Sequence, residues 1–141
     1  MSGNWKKVVF ISLILLLIVS GISGLLLYRY LNEEVTLHLY VSNQSRTYDP
    51  ADISLSIDGK EEFDRICYTD DSHNWTEVKI KIKRGSHNIE AWSNYTEGPT
   101  EKDFTLYNEK WIVVDFWTDP DDDGSGPGFT ISIHDEAVAF M

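Results

Sequence analysis

The first pattern in the chain is an uninterrupted apolar run over residues 8–28, which contains no charged residue and follows Lys6 and Lys7. A helix of this length spans roughly 31 Å, which matches the roughly 30 Å hydrocarbon core of a bilayer. The run therefore predicts one transmembrane helix near the N-terminus.

The charges on either side of this run predict its orientation. Two lysines precede it, whereas only Arg29 follows, close to Glu33 and Glu34. Basic residues are enriched on the cytoplasmic side, so we expect a cell-membrane protein with its N-terminus in the cytoplasm. The predicted regions are a cytoplasmic N-terminus (1–7), a transmembrane signal-anchor (8–28), a juxtamembrane linker (29–34) and an extracytoplasmic domain (35–141).

A cleavable signal peptide is the alternative. The basic start, the apolar core and the small residues Ser20 and Gly21 fit such a segment, with Val19 and Gly21 as the cleavage pair. Apolar residues resume at 25–27, before an aromatic pair that suits the membrane interface, which favours an uncleaved anchor. Cleavage would give a secreted domain, so both interpretations export it.

Beyond residue 33 the pattern changes to strict alternation of apolar and polar positions, and no window keeps a helical period. The apolar members of the clearest alternating segments are Val35, Leu37, Leu39 and Val41; Ile53, Leu55 and Ile57; and Val78, Ile80 and Ile82. Further strands are expected at 63–68, 104–107, 111–117 and 129–134. The spacing predicts an all-β domain, a single antiparallel two-sheet sandwich of the immunoglobulin-like kind with seven or eight strands.

Two turn motifs carry a family resemblance. Residues 57–60 read Ile-Asp-Gly-Lys, and residues 85–89 read Gly-Ser-His-Asn-Ile. This order of a "DGK" hairpin before a "G-x-H-x-I" turn and strand resembles PEGA-like and related immunoglobulin-like surface domains, over residues 51–117. The resemblance implies a noncatalytic module of a cell-surface or membrane protein.

The charge of the chain limits the classes of partner, and its single cysteine limits how the fold can be stabilised. All 23 acidic residues but only nine of the 12 basic ones follow residue 32, so this part carries a formal charge of −14. Such a field disfavours nucleic acid and anionic lipid headgroups. Cys67 is the one cysteine, so an intramolecular disulfide is excluded and the fold must depend on its core or on a bound ion.

The segment 111–117 is apolar on both faces except at Asp115. Its even positions suit the core, which turns Trp111, Val113 and Trp117 outward, and Trp92 is expected to join them. An exposed aromatic patch of this kind predicts a contact surface for a protein, a glycan or another copy of the chain. The alternative is a central strand whose outer face is covered by the chain or lies against the membrane.

One acidic segment resembles a calcium loop. Residues 119–124 reproduce the D-x-D-x-D-G opening, in which Asp119, Asp121 and Asp123 would converge on Ca²⁺. The twelfth position is Thr130 rather than the bidentate Glu, so an acidic hairpin loop without a metal is the alternative. No other cofactor is predicted.

Three sequons follow the membrane segment and predict N-glycosylation at Asn43, Asn74 and Asn94.

Two remaining clusters have ordinary explanations. Lys79, Lys81 and Lys83 form a basic stripe along one strand, which we expect residues such as Glu90 on a neighbouring strand to neutralise. Ser132, His134 and Asp135 have the side chains of a hydrolase, but no nucleophile-elbow pattern surrounds them. The sequence therefore predicts no catalytic residue.

Overall fold

The structure is a computed structural model that describes residues 2–69, 75–118 and 126–139. The chain divides into two compact units, Met1–Glu33 and Glu34–Met141. The first unit is one helix and the second is built of strands. Their bounds are α1 Ser2–Asn32, β1 Glu34–Asn43, β2 Ala51–Ile57, β3 Lys60–Cys67, β4 Thr76–Lys83, β5 Gly85–Trp92, β6 Thr100–Leu106, β7 Lys110–Trp117 and β8 Gly128–His134.

Helix α1 has 31 residues and is long and apolar enough to cross a membrane. Every side chain from residue 4 to residue 32 is exposed, including Leu16 at 68% and Leu17 at 70%. A helix that is apolar on all sides requires a nonpolar medium around it. The same length and composition are found in N-terminal signal sequences.

The eight strands form two four-stranded sheets. The first sheet has the order β4-β1-β7-β8 and the second has the order β3-β2-β5-β6. The pairings are antiparallel, with one exception: β1 and β7 run parallel, from Leu37 beside Lys110 to Asn43 beside Phe116. The prediction of an entirely antiparallel sandwich is therefore wrong for the first sheet. Long connections, rather than a hairpin, separate β1 from β7, so no tight turn sets their relative direction.

The core lies between the two sheets, and both contribute the inward half of their alternating positions. The buried apolar side chains of the first sheet are Leu37, Leu39, Val41, Ile112, Val114, Phe116 and Ile131. Those of the second sheet are Ala51, Ile53, Leu55, Ile57, Phe63, Ile89, Ala91, Phe104 and Leu106. None of them is more than 6% exposed, so one continuous apolar layer stabilises the domain.

Two turns depend on unusual backbone angles. Asp58 and Gly59 have φ angles of 51° and 77° and join β2 to β3, which confirms the two-residue hairpin that an Asp-Gly pair favours. Gly85 has a φ angle of 141°, a region that side-chain-bearing residues rarely adopt. It lies where the chain leaves β4 of the first sheet and enters β5 of the second.

Candidate binding surface on the outer face of the first sheet

Aromatic side chains gather on the outer face of the first sheet. Trp111, Val113, Asp115 and Trp117 alternate with the core residues of β7 and therefore project outward. The parallel register places outward residues of β1 next to them: His38 beside Trp111, Tyr40 beside Val113 and Ser42 beside Asp115. We call the group His38, Tyr40, Trp75, Trp111 and Trp117 the aromatic face.

His38 is held between two carboxylates. Its Nδ1 lies 2.9 Å from Oε1 of Glu77, and its Nε2 lies 2.7 Å from Oε1 of Glu109. Ionised carboxylates only accept hydrogen bonds, so both contacts are complete when both ring nitrogens carry a proton. The His38 ring also stacks on Trp111, with 5.1 Å between the ring centroids and an interplanar angle of 14°. The two carboxylates thereby fix the position of the indole as well.

Glu77 is the centre of this network. The hydrogen bond from His38 lowers the pKa of Glu77 below its ordinary value and outweighs the loss of hydration, which raises it. The Tyr40 hydroxyl donates to the same carboxylate at 3.0 Å, and Lys79 Nζ lies 3.4 Å away. Loss of hydration and the bond to Glu77 raise the pKa of Tyr40. Glu77 therefore remains an anion, and Tyr40 remains a neutral donor, near neutral pH.

Asp115 orders the other end of the face. Its Oδ1 accepts hydrogen bonds from Ser42 Oγ at 2.6 Å and from the Trp75 indole Nε1 at 2.8 Å. Gln44 Nε2 donates to Ser42 Oγ at 2.9 Å, which extends the network. The charged residue that interrupts the apolar β7 sequence thus has a structural reason: it connects β1, β7 and Trp75.

The predicted contact residues have different surroundings. Trp117 is 47% exposed, whereas Trp111 is half-buried against His38. Val113 faces outward but is only 6% exposed, so it supports the aromatic side chains and offers little contact area itself.

Trp92 is 39% exposed but belongs to β5, in the second sheet. The prediction that it joins Trp111 and Trp117 is wrong, because the outer faces of two packed sheets point in opposite directions.

A second histidine is fixed at the β2–β3 hairpin. His87 Nδ1 lies 2.7 Å from Oδ2 of Asp58, and its Nε2 lies 2.8 Å from the Lys83 carbonyl oxygen. Partial burial raises the pKa of Asp58, but hydrogen bonds from His87 and from the Asn88 backbone N–H outweigh this and lower it overall. The Asp of the "DGK" turn and the His of the "G-x-H-x-I" turn therefore contact each other and tie the hairpin to β5.

This second contact borders an open groove of about 500 Å³. Its lining residues are Asp58, Ser86, His87, Asn88, Asp103, Phe104 and Thr105. Asn88 Nδ2 donates to Asp103 at 2.9 Å, and the His87 ring packs 5.5 Å from the Phe104 ring. The two carboxylates, the imidazole and the amide that line it are paired with each other, which indicates a structural role for these groups.

The three sequon asparagines differ in accessibility. Asn43 is 1% exposed, and its Nδ2 donates to the carbonyl oxygens of Tyr48 at 2.9 Å and Cys67 at 3.1 Å. A glycan on this nitrogen is incompatible with the folded packing, so the Asn43 site is wrong for this fold. Asn94 is exposed in the β5–β6 turn, where glycosylation stays a prediction. Asn74 lies outside the described residues.

Glu90 does not neutralise the basic stripe. Glu90 lies on β5 in the second sheet, whereas β4 pairs with β1, so that Lys79 is opposite His38 and Lys83 is opposite Glu34. Within β4 itself, Lys79 pairs with Glu77. Because β4 is an edge strand, exposed lysines along it also discourage pairing with other chains.

The proposed calcium ligands Asp119, Asp121 and Asp123 lie outside the described residues, so calcium binding stays a prediction. Within the described ranges, no three His, Cys, Asp or Glu residues are placed to hold a metal ion.

The residues that resemble hydrolase parts are not assembled into a triad where the structure describes them. Asp135 pairs with Lys110 rather than with His134. His134 is exposed on β8, and Ser132 lies beside Val113 on the same outer face.

Sequence reasoning missed His38 and Glu109 as parts of the surface, whereas Trp75, which the sequence suggests as a further member of the patch, is bonded to Asp115 on this face. A histidine at an outward position of an alternating strand could have indicated that His38 belongs to the surface. Its partners, however, come from β4 and from the β6–β7 turn. Only the tertiary pairing brings them together.

Comparisons with family models, with curated proteins and with solved structures found no significant match. The fold and the geometry of its two outer faces therefore carry the functional argument.

Proposed function

We propose that this chain is a noncatalytic, single-pass membrane protein whose β-sandwich lies outside the cytoplasm and binds a protein partner through the aromatic face. The domain is of the immunoglobulin-like kind, as the resemblance to PEGA-like surface modules implies. In this proposal helix α1 is the anchor, and the lysines before the helix favour a cytoplasmic N-terminus.

The observation that carries the proposal is a half-exposed tryptophan on the same face of β7 as an immobilised one, at the other end of the strand. Trp117 is 47% exposed, and Trp111, on the same face of β7, is held by its stack on His38. Large aromatic side chains supply most of the binding energy in many protein interfaces. Side chains fixed before binding also lose less conformational entropy when the complex forms.

Charge placement supports a protein partner. Next to these tryptophans lie the carboxylates Glu77 and Asp115 and the ammonium group of Lys79. A mixed set of fixed charges around an aromatic centre resembles the polar rim of a protein interface. Such a rim selects complementary partners and rejects others.

The binding proposal is tested by crosslinking in native membranes, with the full-length chain and its Trp117→Ala variant. We expect the variant to lose the crosslinked partner, because it loses the most exposed ring of the face. Tyr107→Ala is the matched control, since Tyr107 is 49% exposed but lies in the β6–β7 turn. Equal partner recovery by wild type and by a folded Trp117→Ala variant would contradict the proposal.

The topology is tested separately. Protease added to intact cells should remove the β-domain and leave the N-terminus protected. The intact mass of the purified chain shows whether the first 21 residues remain. A protected β-domain would refute the orientation, and a mass that lacks these residues would replace the anchor with a removed signal.

A further inference from the structure

A separate groove crosses the outer face of the second sheet, on the side of the domain opposite the aromatic face. It encloses about 260 Å³ and is lined by Ser54, Leu55, Ser56, Gly59, Glu61, Glu90 and Trp92. We call it the Trp92 groove. The Trp92 side chain is 39% exposed, so part of the indole is available to a ligand.

The strand register concentrates negative charge in this groove. Ser56 lies between Glu61 on β3 and Glu90 on β5, and Glu90 in turn lies directly opposite Glu101 on β6. In the next row, Ser54 lies between Asp64 and Trp92. Like charges directly opposite each other destabilise a sheet.

This charge is uncompensated within the part of the chain that the structure describes. Glu61, Glu90 and Glu101 form no hydrogen bond or ion pair there, and no Lys or Arg lines the groove. The three basic residues on the adjacent strands have other contacts. Lys60 pairs with Glu62 at 2.6 Å, and Lys102 Nζ donates to the Ile131 carbonyl oxygen at 2.7 Å. The Arg65 guanidinium lies over the Phe63 ring, 5.7 Å from its centroid.

These groups together define the chemistry of a ligand. The carboxylates repel an anion, and a neutral ligand leaves their mutual repulsion in place. A cation on the exposed indole gains a cation–π contact and pairs with carboxylates on either side of Ser56. The two serine hydroxyls can accept further N–H donors.

We propose that the Trp92 groove binds a positively charged side chain, arginine or lysine, in an extended segment of a protein partner. The cation lies over the Trp92 ring, and Glu61 and Glu90 accept its hydrogen bonds. A guanidinium group fits best, because it is planar, stacks on aromatic rings and donates in two directions at once. This site is independent of the proposed aromatic face.

The test uses the full-length chain in neutral detergent micelles and fluorescence anisotropy of three labelled probes. These are a hexa-arginine peptide, a hexaglutamate peptide and a neutral hexasaccharide. We expect binding of the arginine peptide alone, weakened by salt. Binding of the saccharide with no binding of the arginine peptide would overturn the proposal in favour of a glycan site.

Matched variants separate the groove from the general acidity of the domain. Glu90→Gln should raise the Kd for the arginine peptide about fivefold, whereas Glu136→Gln, which removes one exposed carboxylate elsewhere, should leave it nearly unchanged. Trp92→Ala should raise the Kd by about threefold, and Tyr107→Ala, at an exposed aromatic residue in the β6–β7 turn, should not. Equal effects within each pair would mean nonspecific attraction and would overturn the proposal. If Trp92→Ala does not fold, the Glu90 and Glu136 pair decides.

Discussion

Polar and apolar residues alternate in the same way on the strands behind both outer faces of the sandwich. The two faces differ in whether their polar side chains have hydrogen-bond partners. On the aromatic face, His38 and Asp115 each contact two side-chain partners, and Trp111 is fixed by stacking. Around the Trp92 groove, Glu61 and Glu90 have no partner among the described residues. The polar groups of the aromatic face are paired, whereas the carboxylates of the Trp92 groove are open to solvent.

This difference shows that alternation alone does not determine whether an outward side chain is structural or available for binding. Outward residues become structural when neighbouring strands supply partners, and remain available when they do not. We therefore expect substitutions of the hydrogen-bonded residues of the aromatic face to lower the free energy of unfolding, whereas substitutions in the groove should change it little and mainly change binding of the arginine peptide. Four measurements test this contrast, and all use denaturant unfolding of the full-length chain in micelles.

The largest effect is expected for Asp115→Ala. The substitution leaves the Ser42 hydroxyl and the Trp75 indole N–H without their shared acceptor in a partly buried place. Each unsatisfied donor costs about 1–3 kcal/mol, so we expect a loss of roughly 2–3 kcal/mol in the free energy of unfolding. Asp64→Ala on the second sheet should cost less than about 0.5 kcal/mol. Equal losses for the two variants would remove the contrast between the faces.

His38→Gln should have the next largest effect, about 1–2 kcal/mol. Glutamine lacks the ring whose two nitrogens contact Glu77 and Glu109, so it cannot keep both contacts. It also cannot stack on Trp111. Lys81→Gln is the control, because Lys81 lies exposed on β4 of the same sheet, opposite Thr36. A near-UV circular dichroism spectrum should show a changed Trp111 environment in the first variant only. An unchanged unfolding midpoint for His38→Gln would show that the two carboxylate contacts do not stabilise the fold.

The third prediction concerns acid pH. The pKa of Glu77 and that of Asp58 are both lowered by folding, from ordinary values of 4.5 and 3.8. Each group therefore stabilises the fold fully above its ordinary pKa, and this stability is lost as pH falls through the lower folded value. We expect the denaturant concentration at the unfolding midpoint to decrease as the pH is lowered below about 4.5. Glu77→Gln and Asp58→Asn should each flatten this decline, and a decline of unchanged slope in both would contradict the assignment.

The smallest effect is expected for Glu90→Gln, and its sign is opposite. Removing one of the two facing carboxylates relieves the repulsion between Glu90 and Glu101. The free energy of unfolding should rise by roughly 0.2–0.5 kcal/mol, while affinity for the arginine peptide falls. Reduced stability would indicate that Glu90 has a structural partner. The polar residues of the groove would then be structural, like those of the aromatic face.

Much of the fold was predictable from local pattern. Seven of the eight strands overlap the segments expected from the alternating pattern, β5 follows the "G-x-H-x-I" turn, and the Asp58-Gly59 turn forms the expected hairpin. The site was predictable only in part. Trp117 was identified as an outward aromatic residue, but Trp92 was assigned to the wrong face and Val113 proved buried.

The sequence by itself determined the apolar helix, the strand periodicity and which side of each strand is apolar, because these depend on residues close together in the chain. Only the tertiary structure decided that β1 and β7 run parallel and that β4 and β5 lie in different sheets. Those choices depend on how distant strands share one core. They place His38 between Glu77 and Glu109, bury Asn43, and separate Trp92 from Trp117.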